Sequence, residues 1–166
     1  MVKTLQEVIV DSVRSTLAKL GVLDEVSEKV GIVNYHLHNK SLCYPTLSDG
    51  ITLQAPSTAW VLSDPVEIIP ANAITEAFDV YFISVEDSSA QTDIYELILY
   101  RGASANIEIG RVRLAKQSGS SAIPSVSICC EIQLANTKIS ARLACSSGSR
   151  TIKISLGYHL EPLVLE

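Results

Sequence analysis

The chain has 166 residues, 47% of them hydrophobic, and a formal net charge of −5. That length holds one ordinary domain plus an appendage, and the apolar fraction is enough for a core without disulfide or metal staples. Its thirteen basic residues are scattered and offer no footprint for a phosphate backbone, which excludes nucleic acid as a partner; its apolar runs are strand-sized, far below the roughly 20 residues of a membrane-spanning helix, which excludes a membrane partner.

The opening Met1-Val2-Lys3-Thr4-Leu5-Gln6-Glu7, followed by Asp11 and Arg14, lacks the uninterrupted apolar stretch of a secretory signal, so synthesis in a host cytoplasm is expected. Thr4 and Glu7 have the spacing of a capping box, in which each satisfies the other's orphan backbone donor. A helix over 5–20 follows, with Gly21 suited to its C-terminal cap. Leu5, Val8, Ile9, Val13, Leu17 and Leu20 fall on one side of it and need a cover; Leu5, Ile9, Val13 and Leu20 are therefore interface candidates. Residues 24–29 form a charged connector. The expected organisation is a helix with its connector over 1–29 and a β-domain over 30–166.

From residue 30 the texture changes to β-branched and aromatic runs broken by Ser, Gly, Asn, Asp and Pro clusters. Short strands are predicted at 32–38, 51–54, 59–62 and 66–69. The segments 78–86 and 93–101 are apolar on both faces, as expected of central strands or of an oligomer contact. Within 107–114 the alternation slips phase, and one extra residue at Gly110 repairs it, which predicts a β-bulge. Val126, Ile128, Cys130, Ile132 and Leu134 then alternate with polar residues, as do Ile139, Ala141, Leu143 and Cys145, with a tight reversal at Ala135-Asn136 between the two. After Ser146-Ser147-Gly148-Ser149 a last half-buried strand carries Ile152, Ile154, Leu156 and Tyr158. Many short strands with no helices between them imply two stacked sheets, and the fold class read here is an all-β, jelly-roll-like antiparallel β-sandwich behind a short N-terminal α-helix.

Reactive constellations are sparse. His36 and His38 share a strand face near Cys43, but His-x-His without a fourth ligand is read as two surface residues, and neither a metal nor a cofactor is expected. Cys43, Cys129, Cys130 and Cys145 have no metal spacing and are read as small hydrophobes, with Cys130 inward and Cys129 outward. Glu96 and Glu131 take solvated strand positions, and His159 lies on the polar face of the last strand. No carboxylate pair, P-loop or nucleophile motif appears, so no catalytic residue is assigned. Arg101, Arg111, Arg113 and Arg142 lie on central or bulged strands and are candidates for bidentate pairing with carboxylates across a subunit boundary. Trp60, between Pro56 and Pro65, is either core or an interface anchor.

The stretches Phe78-Asp79-Val80-Tyr81, Asp93-Ile94-Tyr95-Glu96-Leu97, Glu108-Ile109-Gly110-Arg111-Val112-Arg113 and Ile139-Ser140-Ala141-Arg142-Leu143-Ala144 follow one another, with the Ser-Gly turn and 152–159 behind them. Together, over 78–159, they resemble a group of small virion proteins of tailed bacteriophages. The resemblance implies a jelly-roll-like sandwich on a virus particle, a capsid decoration or cement protein that assembles as a homo-oligomer, a trimer above all, and binds the major capsid protein or another virion protein. The N-terminal helix and the tail Leu160-Glu161-Pro162-Leu163-Val164-Leu165-Glu166 do not match it. The expectation is thus a non-enzymatic protein of the capsid surface. The alternative is a receptor- or carbohydrate-binding module of a phage tail fibre, against which an aromatic content of 5% speaks; a cupin-like enzyme using His36 and His38 ranks third.

Overall fold

The computed structural model describes residues 42–90, 92–116 and 122–161, together with Ser12, Ser15, Thr16, Ala18, Lys19 and Gly21. The chain divides into two compact units, Met1–Asn39 and Lys40–Glu166. In the first, the six described residues are helical and exposed, and the Thr16 hydroxyl donates to the Ser12 carbonyl one turn back at 2.9 Å. The interface candidates Leu5, Ile9, Val13 and Leu20, the capping box, the connector 24–29, the predicted strand 32–38 with His36 and His38, and the tail beyond residue 161 all lie outside the described residues.

The described residues of the second unit form an all-β sandwich of nine strands: β1 (Leu42–Tyr44), β2 (Ile51–Gln54), β3 (Val66–Ile69), β4 (Phe78–Ser88), β5 (Tyr95–Arg101), β6 (Ile107–Leu114), β7 (Val126–Ser127), β8 (Ile139–Cys145) and β9 (Thr151–Leu160). Every pairing is antiparallel. One sheet, A, has the order β1-β9-β4-β7; the other, B, has the order β3-β8-β5-β6. Strands β1 and β2 run end to end along the same edge of β9, which places Tyr44 opposite Leu156 and Ile51 opposite Ile154. They act as one strand interrupted by the excursion 45–50. Counted so, the pairings nest: the first strand with the last in sheet A, the second with the next-to-last in sheet B, the third with the sixth in A, and the fourth with the fifth in B. A long hairpin rolled up in this way is the jelly roll, and its rolling closes the core from both sides.

Alternation along the strands builds that core. Leu97, Leu99, Ile139, Ala141, Leu143, Ile152, Ile154 and Leu156 point inward and are buried, with Phe78, Val80, Ile83 and Tyr95 among them. As the two-faced apolar patterns require, β4 and β5 are interior strands of their sheets. The phase slip in 107–114 is a bulge: Leu99 faces Gly110 while Tyr100 faces Glu108, so Ile109 is the extra residue and enters the core. Cys130 and Cys145 pack with the core, Cys129 is exposed and all four cysteines are free thiols; burial pushes the Cys130 thiol up to about 12.

Three sequence expectations are corrected. Residues 126–134 do not form one alternating strand. Only Val126–Ser127 pairs with β4, the ladder is regained at a single bridge between Phe78 and Gln133, and Ile132 and Leu134 are exposed while Gln133 is buried. Six residue steps of this segment span four of β4 between those two contacts, so its middle must bow away and the phase is lost. The turn at Ala135-Asn136 exists, with Thr137 N–H donating to the Leu134 carbonyl at 3.2 Å, but it carries the chain from sheet A to sheet B and does not close a hairpin. Residues 59–62 are not a strand, because Trp60 adopts a left-handed backbone with φ 62.

Loop anchoring uses half-buried charge. Glu86, with its side chain 13% exposed, accepts from the Gly50 N–H at 3.3 Å and from the Ser155 hydroxyl, and pairs with Lys153 at 3.5 Å. Lys153 also donates to the Ser48 carbonyl, so the excursion 45–50 is tied to β4 and β9. Likewise Asp93 accepts from Ser147 Oγ at 2.6 Å and from Arg150 Nε at 2.9 Å, joining the start of β5 to the β8–β9 turn. The Ser147 hydrogen bond, aided by Arg150, holds the Asp93 carboxyl below its ordinary value of 3.8. A folded-state value depressed in this way contributes stability that is present above the unfolded value and is lost as pH falls through the folded one. Asp93→Asn is therefore expected to lower the melting temperature at neutral pH and to flatten its decline below pH about 4, measured by thermal melts across an acid series.

Candidate functional site

Because Leu97 and Leu99 point inward, Glu96, Ile98 and Tyr100 of β5 point out of sheet B, and strand register assigns their neighbours. Glu96 lies between Ala144 and Arg113, Ile98 between Arg142 and Arg111, and Tyr100 between Ser140 and Glu108. This outer face holds both signs of charge and an apolar floor. Ile98 is fully buried although it stands outside the core cluster; it is flanked by two arginines, whose aliphatic stems are long enough to cover apolar surface.

Three of the four arginines singled out from sequence meet here. Arg111 forks onto Glu108, with Nε to Oε1 at 3.1 Å and Nη2 to Oε2 at 3.0 Å, and its Nη1 reaches Glu96 Oε1 at 2.7 Å. Arg113 Nε binds the other oxygen of Glu96 at 2.9 Å. The solvated position expected for Glu96 is thus corrected: its side chain is 13% exposed and holds two guanidinium groups, an arrangement that depends on the bulge-shifted register of β6. The Arg111 hydrogen bond lowers the Glu108 carboxyl and, reciprocally, raises Arg111. Arg142 differs from both. Its Cζ lies 5.3 Å over the Tyr100 ring, and among the described residues it has no carboxylate partner and its Nε is buried without an acceptor. Arg101 points elsewhere, toward Glu131 at 3.5 Å.

Trp60 completes the face. Its backbone N–H donates to the Cys145 carbonyl at 2.9 Å and Ser63 N–H donates to Leu143 at 2.9 Å, so residues 60–63 run along the free edge of β8 ahead of β3. Arg113 Cζ stacks over the indole at 5.2 Å. The ring is not core, since Trp60 is 46% exposed with Val61 beside it at 45%. On the flank between β2 and β3 an open groove of about 520 Å³ is lined by Thr52, Gln54, Ser57, Ser63, Asp64 and Ser149 among others. Sequence reading did not foresee it, because its walls come from segments that only the rolled topology brings together.

The opposite sheet offers one constellation that sequence missed. His159 Nδ1 lies 3.2 Å from Asp79 Oδ1, and the imidazole stacks on Tyr81 with centroids 3.9 Å apart and planes 10° from parallel. Asp79 Oδ1 also accepts the His159 backbone N–H at 3.3 Å. The carboxylate thus clamps two adjacent strands. Among the described residues no three His, Cys, Asp or Glu side chains are grouped to hold a metal, and no helix is long and apolar enough to cross a membrane. Compared with family models, curated proteins and solved structures, the chain matches none.

Proposed function

We propose that the protein is a non-enzymatic structural protein of a virus particle, a decoration or cement protein that binds capsid subunits as a symmetric oligomer on the capsid surface. The observation that carries this reading is the outer face of sheet B, where Trp60, Tyr100, Arg111, Arg113 and Arg142 stand together. Tryptophan, tyrosine and arginine are the residue types that dominate binding energy between proteins. Trp60 is the telling one. A left-handed backbone costs a bulky residue about 1–2 kcal/mol, and a residue 46% exposed recovers little of that by burial within its own chain. The bond from its N–H to Cys145 and the stacked Arg113 hold Trp60 in that strained conformation, and the indole surface they leave open is available to a partner.

The charge arrangement supports the same reading. Glu96 and Glu108 are committed to their own arginines, which orders the guanidinium planes for a partner instead of poising an acid or base. The likeness of 78–159 to small phage virion proteins supplies the partner class: the major capsid protein or another virion protein. Weak contacts repeated over many symmetric copies would hold subunits together by avidity. Adding the purified protein to particles that lack it should give saturable co-sedimentation and a higher rupture temperature, and Trp60→Ala should weaken binding by about tenfold or more, as loss of a central aromatic anchor does. Unchanged heat tolerance together with no co-sedimentation rejects the reading. A tail-fibre carbohydrate-binding module is the second reading, favoured by the groove between β2 and β3, where hydroxyls and the Gln54 amide stand beside the apolar Ala55, Pro56 and Val66; glycan-array binding lost in Gln54→Ala but kept in Trp60→Ala would replace the first reading with it.

A further inference from the structure

Between Ser127 and Gln133 the chain is fastened more sparsely than the strands on either side of it. Ile128 N–H donates to the Tyr81 carbonyl at 2.8 Å, and Gln133 exchanges backbone bonds with Phe78 at 2.7 and 3.0 Å. Among the described residues, the peptide groups of 129–132 take part in no backbone–backbone hydrogen bond. The Glu131 carbonyl is held from within the segment, by Gln133 Nε2 at 2.6 Å, and Gln133 Oε1 is buried without a donor. The far anchor thus carries an uncompensated polar atom.

Side chains hold the middle down. Gly110 pairs with Leu99, which is core, and so faces inward from the edge strand β6; its missing side chain leaves a hollow there. Ile128 and Cys130 fill it, since a Cβ on Gly110 would stand 2.7 Å from Ile128 Cδ1 and 2.9 Å from Cys130 Sγ. By leaving the edge of sheet A and seating on β6 of sheet B, the segment closes one side of the sandwich. Its other tie to sheet B among the described residues is Glu131 to Arg101 at 3.5 Å, with side chains 76% and 35% exposed, a pair that solvent screens heavily. Ile132 is exposed and adds little burial.

We infer that 128–132 is a strap that opens as a unit on its anchors at Ser127 and Gln133, uncovering the Cys130 thiol and the hollow at Gly110 while both sheets stay paired. Local opening belongs where few apolar contacts and few backbone bonds have to be given up. The strap gives up the seating of Ile128 and Cys130, one backbone bond and one screened ion pair. Opening β8, which carries Cys145, breaks ladders to both β3 and β5. What the strap gates is a thiol. Seated, Cys130 is held un-ionised by burial; the thiolate is the reactive form, so an electrophile or a disulfide reaches it from the open strap. The inference is independent of the proposed virion role.

Pulsed alkylation of the full chain with iodoacetamide tests it. A Cys129→Ser background removes the exposed neighbouring thiol, Cys130 and Cys145 are read separately by peptide mass, and each rate is divided by its value in the denatured chain. Cys130 is expected to react about tenfold or more faster than Cys145, at a rate nearly flat in low denaturant while that of Cys145 climbs. Glu131→Ala should raise the Cys130 rate about two- to fivefold, the range for losing an exposed ion pair, and leave Cys145 unmoved. Gly110→Val, which fills the hollow, should raise it further. Thermal melts show whether that variant folds, and Glu131→Ala, at an exposed position, keeps the test decisive if it does not. Equal normalised rates for Cys130 and Cys145, climbing together with denaturant, would mean that the strap opens only with the whole sandwich and overturn the inference. A normalised Cys130 rate near that of the denatured chain overturns it as well, since the strap is then never seated.

Discussion

Gly148→Ala is expected to lower the stability of the sandwich by about 3 kcal/mol, summed from a left-handed backbone penalty of about 1–2 kcal/mol for a residue with a Cβ and the weakening of two hydrogen bonds at about 0.5–1.5 kcal/mol each. Gly148 has φ +71, and a Cβ there would stand 2.2 Å from the Ser57 carbonyl oxygen and 2.7 Å from its carbon. Neither atom belongs to a flexible side chain, so the two backbones have to separate. The hydrogen bonds at risk are the ones that seat the β8–β9 turn on the incoming chain, Ser149 N–H to the Pro56 carbonyl at 2.7 Å and Ala55 N–H to Arg150 at 2.8 Å. Gly102→Ala is the internal control. Gly102 also has a left-handed backbone, φ +88, but nothing lies within 4 Å of a Cβ there, so it reports the conformational cost alone. Denaturant melts of both variants check the claim: equal losses would mean that the Ser57 contact carries no energy. Since 55–57 leads into the Trp60 run and walls the groove, Gly148→Ala should also weaken any binding that uses that face.

What could be read from sequence and what could not divide along a physical line. Where a strand buries one face against the opposite sheet, its period-two pattern carries both position and orientation, and β2, β3, β6 and β8 fall at the residues that the alternation marks. A bulge in 107–114 was legible for the same reason, because a slipped phase has one local remedy, although the extra residue is Ile109 and not the expected Gly110, which stays paired with Leu99. Sheet membership was not legible. Ala135-Asn136 and Ser146-Ser147-Gly148-Ser149 have the composition of hairpin turns, yet each carries the chain from one sheet to the other, and no local residue encodes which of two nearby sheets will accept the next strand. The edge segment 126–134 was misread because its alternation is real in sequence, but its partner β4 bends at Tyr81 and pairs with it only at Val126–Ser127 and at Gln133. Gln133, not Ile132 or Leu134, is then drawn inward by the backbone bridge to Phe78.

The candidate face was half legible. Arg111, Arg113 and Arg142 could be picked out as cations on strands, and Trp60 as a lone aromatic between prolines. Their convergence needed long-range register, since Glu96 meets Arg113 only after the chain has turned at 102–105 and Ile109 has been taken up in the bulge. The contrast between Arg142 and its neighbours was invisible beforehand, because whether an arginine is satisfied depends on carboxylates supplied by other strands.

Phe78→Ala is expected to be the most damaging single truncation, at about 3–5 kcal/mol, the range for deleting a large buried aromatic. Phe78 is fully buried, and its ring meets Tyr158 edge-on at a centroid distance of 6.0 Å. Its backbone adds to the case, since Phe78 N–H donates to Gln133 at 3.0 Å and Gln133 N–H returns the bond at 2.7 Å, while the other edge of the same residue is paired with Leu160 of β9. One side chain thus fills the core where the last residues of β9, the first of β4 and the irregular edge come together. Its loss leaves a cavity under the contact that brings 128–134 back to sheet A, and the bowed segment has no other ladder bonds there to resist it. Phe78→Leu, which keeps most of the volume, should lose about 1–2 kcal/mol. Hydrogen exchange separates a local from a global effect. Phe78→Ala should deprotect the Gln133 and Glu161 amides ahead of those in β5 and β8, and uniform loss of protection across both sheets would show instead that the whole sandwich opens as one unit.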